Sequence, residues 1–374
     1  MYTLLRSLYD PSGKLPPVSE TAQYQEALRQ IEESGICCQV YSLLHSRNRL
    51  EEVPAFFRNR LQQVRSDSLY LNLYLGRSLQ KLLQSLEERG IPAIPLKGVP
   101  FAERYFGGAS ARPTSDIDLL IQPVHLEAAE ECVRSLGYDE EEERIPAHFH
   151  RSFSRRLPHT PVPLTVELHW GLLKENTSAL TMDAFWAASE PYGKFRYIRR
   201  LSDYHEFYMI ALHGWKHNLN SAKYLLDLVQ LVHVLGDRLD YSRLLRDAAV
   251  DRTSRRLKWT LSVLYRQFPH LHAIQPLLWK LPERLYWEPE HGQHPPGAIG
   301  RYRNLLVTQH MLFDSFFHAL PGAARWLFPS RVEAGFELEK GLTDSRHGSL
   351  IPLYLQRGRH LIRALSQGTK KVEK

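Results

Sequence analysis

A short segment that combines acidic and aliphatic side chains constrains this chain more than any other feature. Residues 115–121 are Ser-Asp-Ile-Asp-Leu-Leu-Ile, an apolar run typical of a buried β-strand. Because side chains alternate along a strand, Asp116 and Asp118 project from one face and the aliphatic residues from the other. Acidic side chains are rare in strands and costly to bury without a cation. The segment therefore predicts a strand whose polar face holds a divalent metal ion.

The metal that such a carboxylate pair favours is Mg²⁺ (or Mn²⁺), which keeps water and substrate phosphates as its other ligands. Asp116 and Asp118 would lie about 6–7 Å apart along the strand and can converge on two ions. Two ions roughly 3.5–4 Å apart can bridge the attacking and leaving oxygens of a phosphoryl transfer. Aspartates at this spacing also cap turns or lie on solvated faces, but the apolar setting favours a metal site. We therefore predict a nucleoside triphosphate as substrate.

A second strand candidate offers a third carboxylate. Residues 164–170 alternate, with Leu164, Val166 and Leu168 on one face and Thr165, Glu167 and His169 on the other. If this strand pairs beside the acidic one, Glu167 completes a carboxylate trio, as a metal ligand or as the general base for the acceptor. The alternative is a solvated acid on an edge strand.

A glycine turn upstream offers a phosphate site. Lys97-Gly98 follows a short Pro-containing strand candidate and precedes a helix predicted from Val99 to Phe106. Gly98 would let the backbone approach a phosphate, and the helix start would offer free N–H groups. Lys97 adds a positive charge, and Arg112 would clamp phosphate oxygens. Turns between a strand and a helix also use glycine for steric reasons alone.

The periodicity along the chain predicts an α+β protein: a small mixed sheet flanked by helices, a helical N-terminal segment and a larger helical C-terminal domain. We place the boundaries at residues 1–88, 89–202 and 203–374. Within the first segment a leucine stripe leads up to a helix-ending glycine, Gly90. Further strong helix candidates are 125–136, 204–215, 222–235, 254–268, 302–319 and 350–366, and the Pro- and Gly-rich residues 289–300 predict a connecting loop.

Composition narrows the partners and the setting. The formal net charge is +7, but the basic residues are scattered and an acidic run interrupts them, so a nucleic-acid partner is not expected. The sequence has no apolar run near the roughly 20 residues that a membrane span needs. Three cysteines match no disulfide or zinc pattern. We therefore expect a cytoplasmic protein.

Two histidines one helical turn apart, His213 and His217, share a helix face, with Asp227 further along. The intervening Gly-Trp-Lys lacks the glutamate of a His-Glu-x-x-His zinc site. Packing, or contact with nucleotide from the helical domain, is the favoured interpretation, and the sequence does not choose between them.

Several segments together resemble the largely uncharacterised bacterial nucleotidyltransferase family of the polymerase-beta-like superfamily. They are Leu96-Lys97-Gly98, Arg112, the segment 115–120 and Glu167-Leu168-His169-Trp170. The resemblance implies a nucleotidyltransferase sheet with Asp116, Asp118 and Glu167 as catalytic metal ligands, and Lys97, Gly98, Arg112 and Ser115 as nucleotide-binding residues. The wider superfamily usually has Gly-Ser where this chain has Lys-Gly, and here the spacer to the acidic pair is longer.

The leading functional hypothesis is a Mg²⁺-dependent transfer of a nucleoside monophosphate from NTP to a hydroxyl, with release of pyrophosphate. The acceptor would be a small molecule, a peptide or a protein. The alternative is a catalytically inactive nucleotide-binding or interaction module of the same fold. An RNA-modifying transferase is a third hypothesis, disfavoured because the sequence lacks a concentrated basic stripe.

Overall fold

The fold is seen in a computed structural model of the chain. It describes residues 1–10, 12–141, 148–156, 163–283 and 311–328, together with 285, 287, 351, 353–355, 358 and 359. The predicted loop 289–300 lies outside the described residues, as do half of the predicted helix 302–319 and most of the predicted helix 350–366.

The helices of the described part flank a small sheet on both sides. They are α1 (Tyr2–Tyr9), α2 (Thr21–Glu33), α3 (Cys37–Ser46), α4 (Ala55–Glu88), α5 (Val99–Phe106), α6 (Leu126–Ser135), α7 (Asp183–Ala187), α8 (Asp203–Lys216), α9 (Ala222–Leu235), α10 (Tyr241–Val250), α11 (Ser254–Gln267), α12 (Leu271–Ile274) and α13 (Phe316–Leu327). None of them is both long enough and apolar enough to cross a membrane.

The main sheet is mixed. Its strands are β1 (Ala93–Pro95), β2 (Asp116–Ile121), β3 (Asp139–Glu140), β4 (His150–Arg155) and β5 (Leu164–His169), in the order β1-β2-β5-β4-β3. Strands β2 and β5 run parallel, and the other neighbours are antiparallel. A separate ribbon pairs β6 (Glu190–Pro191) with β7 (Arg199–Arg200). The predicted α+β class, with a small mixed sheet between helices, is confirmed.

The apolar face of the sheet packs against α4 and α6. Alternate residues of β2 and β5 point to this face, and their side chains are at most 4% exposed. They meet the leucine stripe of α4 and the inner side of α6. Burying side chains of this size contributes roughly 1.5–3 kcal/mol each, so this layer holds β2 and β5 in place. The residues are Ile117, Leu119, Ile121, Leu164, Val166 and Leu168 on the strands, and Leu75, Leu79, Leu82, Leu83, Leu86, Ala129, Cys132 and Val133 on the helices.

Helix α4 ends as the sequence predicted, but its buried face starts later. Gly90 has a left-handed φ of +66°, and its N–H donates to the Glu87 carbonyl, which closes the helix. Leu71, which continues the leucine stripe in sequence, is 40% exposed. The neighbouring Asn72 is buried instead, because its side chain donates to the carbonyl of Arg112. The apolar stripe therefore begins at Leu75.

The N-terminal and C-terminal helices share one core. Buried residues of α1–α3 and of α8–α11 belong to a single apolar cluster that also reaches Leu120 on the polar side of the sheet. A hydrogen bond from Tyr9 to the Gln230 side chain joins α1 to α9. Helices α1–α3 and α8–α11 therefore share one apolar core, which reaches the sheet at Leu120. The boundaries at residues 88 and 202 stay a prediction.

Candidate active site

The three predicted carboxylates lie together on the polar face of the sheet. The parallel register pairs Asp118 directly with Glu167, and Asp116 with Thr165. One oxygen of each of Asp116, Asp118 and Glu167 lies within 4.8 Å of the others. Asp118 is 1% exposed, and a buried carboxylate needs positively charged or hydrogen-bonding neighbours to stabilise it. The condition set by the sequence, that Glu167 completes the trio only if its strand pairs with the acidic one, is met.

Lys97 neutralises part of this charge. Its Nζ lies 3.2 Å from Oδ2 of Asp116 and 3.0 Å from Oδ2 of Asp118. Burial alone would lower the pKa of Lys97, but the two aspartates outweigh it and raise the pKa. The ammonium group of Lys97 thus contacts both aspartates, so this part of the pocket stabilises a cation.

His169 provides a second positive group. Its Nε2 lies 3.0 Å from Oδ1 of Asp118 and 3.1 Å from Oε2 of Glu167. Burial opposes protonation of this ring, but the two carboxylates raise its pKa. Burial likewise opposes ionisation of Glu167, yet His169 and Lys97 lower the pKa of that carboxyl to about 2. Glu167 is therefore a weak proton acceptor and a good metal ligand at neutral pH.

A third ring, His150, approaches the trio from β4. It is the cross-strand partner of His169, and its Nε2 lies 4.0 Å from Oε2 of Glu167. Burial and the neighbouring histidines lower the pKa of His150 to about 2. The ring is therefore neutral at physiological pH and keeps a lone pair for a ligand.

The glycine turn lies where the sequence predicted, next to the acidic strand. Helix α5 begins at Val99, and Gly98 before it has φ +85° and ψ −139°. A Cβ on Gly98 would lie 3.4 Å from Cγ2 of Thr114 and 3.5 Å from the Asp116 carbonyl oxygen. The turn needs a glycine for its backbone geometry. Contact of this turn with phosphate stays a prediction.

The remaining two predicted binding residues have partners within the protein. Nε and Nη2 of Arg112 donate to the two carboxylate oxygens of Asp227, at 2.7 and 2.8 Å. Arg112 is 3% exposed and lines the cavity floor. The exposed Ser115 hydroxyl donates to Oδ1 of Asp116 at 3.3 Å. Arg112 thus links the segment that precedes β2 to helix α9 through a buried ion pair. Its role as a phosphate clamp stays a prediction.

A cavity of about 320 Å³ opens in front of the trio, between the sheet and helices α8 and α9. The helical wall presents His213, Lys216 and His217 from α8, and Lys223 and Tyr224 from α9. The rings of His217 and Tyr224 are stacked, with centroids 5.0 Å apart. Acidic groups on the sheet and basic and aromatic groups on the helices therefore line the same cavity.

Burial lowers the pKa values of the basic groups on this helical wall. It lowers the pKa of Lys216 to about 8 and that of Lys223 to about 8. It also lowers the pKa of His217 to about 4 and that of His213 well below its usual value. At neutral pH the wall thus offers two lysine cations and two neutral imidazoles, a suitable surface for polyphosphate.

The donor set on the sheet fits Mg²⁺. Three carboxylates supply hard oxygen ligands, and a cavity in front of them leaves room for water and phosphate. The ammonium of Lys97 between the two aspartates shows that a cation is electrostatically favoured there. Asp116, Asp118 and Glu167 are therefore the residues that would hold the ion.

Comparison with known proteins assigns the family. A family model described as "Uncharacterised nucleotidyltransferase" matches residues 20–268. The chain belongs to this nucleotidyltransferase family. The matched residues include the sheet, the glycine turn and helices α8, α9 and α11. No curated protein and no solved structure gave a match.

Sequence reasoning missed part of this candidate site. It placed His169 on the face of Glu167 without giving it a role, and it passed over His150, Lys216 and Lys223. A usable signal existed for Lys216, because the spacing of His213, Lys216 and His217 puts all three on one helix face. Nothing in the sequence of β4 marks His150, since its place follows from the β4–β5 register.

Replacing Gly98 by alanine tests the turn. The positive φ of Gly98 predicts a loss of about 1–3 kcal/mol in the free energy of unfolding. We also expect weaker binding of a fluorescent NTP, because the turn next to Lys97 would shift. Gly193→Ala is the control, since Gly193 also has a positive φ (+59°) but has no atom within 4 Å of its Cβ position. Urea unfolding and an NTP titration measure both, and unchanged NTP affinity in Gly98→Ala would contradict a role of the turn in binding.

Proposed function

We propose that this chain is a Mg²⁺-dependent enzyme that transfers a nucleoside monophosphate from NTP to an acceptor hydroxyl and releases pyrophosphate. The observation that supports this most is the β2–β5 register, which sets Glu167 beside Asp118 in the lining of the cavity. Membership of the nucleotidyltransferase family supports the same reaction class.

In this proposal the acidic residues of the cavity bind the metal ion and the basic residues bind the phosphates. Asp116, Asp118 and Glu167 would hold Mg²⁺, which supplies Lewis-acid stabilisation of the charge that develops on the α-phosphate. Lys97 would turn from the aspartates to a phosphate oxygen once they bind the ion. Lys216 and Lys223, on the opposite wall, would take the β- and γ-phosphates. Arg112, held by Asp227, would fix the floor beneath them.

The chemical step follows from this placement. The acceptor oxygen forms a bond to the α-phosphorus, the bond from that phosphorus to the bridging oxygen breaks, and pyrophosphate leaves with the electron pair. The acceptor proton passes to water, because Glu167, with its pKa of about 2, is a poor base. Of the two roles predicted for Glu167, metal ligand and general base, this low pKa favours the ligand. The acceptor would be a small molecule, a peptide or a protein, and a cytoplasmic setting stays a prediction.

An inactive nucleotide-binding module is the second candidate, and one observation favours it. Lys97 and His169 together offset two of the three carboxylate charges of the trio without any ion. Incubation with radiolabelled NTPs, Mg²⁺ and a cell extract separates the two. Label transfer or pyrophosphate release supports the enzyme, whereas Mg²⁺-dependent NTP binding without turnover supports the module.

The two wall lysines predict a pH dependence of NTP binding. A lysine is charged below its pKa, and the pKa values of Lys216 and Lys223 are about 8. Both therefore lose their charge as pH rises from 7 to 9, and we expect NTP affinity to fall about tenfold over that range. Lys223→Gln should weaken binding at pH 7 and flatten the profile. Lys258→Gln, at an exposed position on α11, is the control. An NTP affinity independent of pH would contradict the assignment.

A further inference from the structure

We propose that His150, Glu167 and His169 form a second metal site, selective for a first-row transition ion such as Mn²⁺ or Zn²⁺. One ligand atom from each residue lies within 4.8 Å of the others. The site shares Glu167 with the carboxylate trio but lies on the β4 side of it. The inference concerns ion binding alone, so it does not require the chain to transfer nucleotides.

The distances fit a common ion. Two ligand atoms about 2.1 Å from one metal are roughly 3 Å apart at a right angle and about 4 Å apart at wider angles. Nε2 of His169 lies 3.1 Å from Oε2 of Glu167, and Nε2 of His150 lies 4.0 Å from the same oxygen. Both values fall in this range, so an ion can take the place of the proton on Nε2 of His169 and bind with little movement of the side chains.

The backbone fixes this arrangement. His150 and His169 are directly paired across β4 and β5, and their ring centroids are 4.8 Å apart. Glu167 lies two residues before His169 on the same strand face. Ligands on neighbouring strands of a hydrogen-bonded sheet are held more firmly than ligands on loops.

The chemistry of the ligands separates this site from the first. Mg²⁺ prefers oxygen ligands, whereas imidazole nitrogen favours transition ions, and Mn²⁺ accepts both. The side chain of His150 is 14% exposed, so its ring is largely shielded from water beside Glu167. Two imidazoles and a carboxylate therefore point to a transition ion beside the oxygen-only trio.

Mn²⁺ electron spin-echo spectroscopy of the nucleotide-free protein tests the site. The wild-type spectrum should show ¹⁴N couplings from two coordinated imidazoles. His150→Gln and His169→Gln should each lose one, and each should weaken Mn²⁺ binding about tenfold or more. The double variant should lose all nitrogen coupling while Mn²⁺ still binds at the carboxylates, which shows that the chain remains folded.

His148→Gln is the matched control, because its ring is 4.3 Å from that of His150 but is not in the cluster. It should leave the nitrogen couplings unchanged. A wild-type spectrum without ¹⁴N coupling, or a coupling that only His169→Gln removes, would overturn the three-ligand site. The measurement needs no NTP and no acceptor, so its outcome is independent of whether the chain is a transferase.

Discussion

Replacing Asp118 by asparagine is expected to reduce nucleotidyl transfer by about 10³-fold, the largest effect in this protein. The substitution keeps the shape of the side chain and removes its charge. Asp118 is the central member of the trio, paired in register with Glu167 and contacted by both Lys97 and His169. Loss of one group that stabilises transition-state charge typically costs that much in rate. Pyrophosphate release from an NTP panel, or label transfer in an extract, measures it.

The control for this variant is Asp139→Asn. Asp139 is an exposed aspartate on β3 of the same sheet, away from the cavity. It should leave activity unchanged. Thermal melting of both variants shows whether the chain still folds. If a folded Asp118→Asn protein kept near wild-type turnover, the carboxylate trio would not be the catalytic site.

Removing Asp227 is expected to have the largest effect on stability. Arg112 and Asp227 form a bidentate pair with side chains only 4% and 3% exposed. Asp227→Ala leaves the Arg112 charge buried without compensation, which costs about 3–5 kcal/mol. We expect a corresponding fall in the free energy of unfolding, measured by urea denaturation. The comparison is Glu33→Gln, because the ion pair between Glu33 and Arg29 is exposed and such pairs contribute at most about 1 kcal/mol.

A double replacement separates stability from binding at this pair. Arg112→Met with Asp227→Leu removes both charges and should recover much of the lost stability, since apolar groups can replace a buried ion pair. If the double variant is stable but binds NTP weakly, Arg112 also contacts phosphate. A double variant no more stable than Asp227→Ala would contradict our account of the pair.

The sequence predicted the strands of the site well because their patterns are local. Alternation in β2 and β5 assigned the faces of Asp116, Asp118 and Glu167, and the glycine before α5 marked the turn. The order of the strands is not local, so the pairing of β2 with β5 entered only as a condition. The structure supplies that register.

The rest of the site depends on contacts far apart in the chain. Arg112 meets Asp227 across 115 residues, and His169 meets Asp118 across 51. Periodicity cannot reveal such partners, because the first contact arises from the packing of α9 and the second from the β2–β5 register. Leu71 shows the same limit: its spacing places it on the leucine stripe, but it is 40% exposed, and the neighbouring Asn72 is buried through its hydrogen bond to the Arg112 carbonyl.

The most direct test of the central claim is a crystal structure of the protein with Mg²⁺ and a non-hydrolysable NTP. We predict an ion bound by Asp116, Asp118 and Glu167, and a triphosphate in the cavity between Lys97 and the lysines of α8 and α9. Lys97 should then contact phosphate in place of the two aspartates. A nucleotide bound elsewhere, with Lys97 still paired to Asp116 and Asp118, would contradict the account.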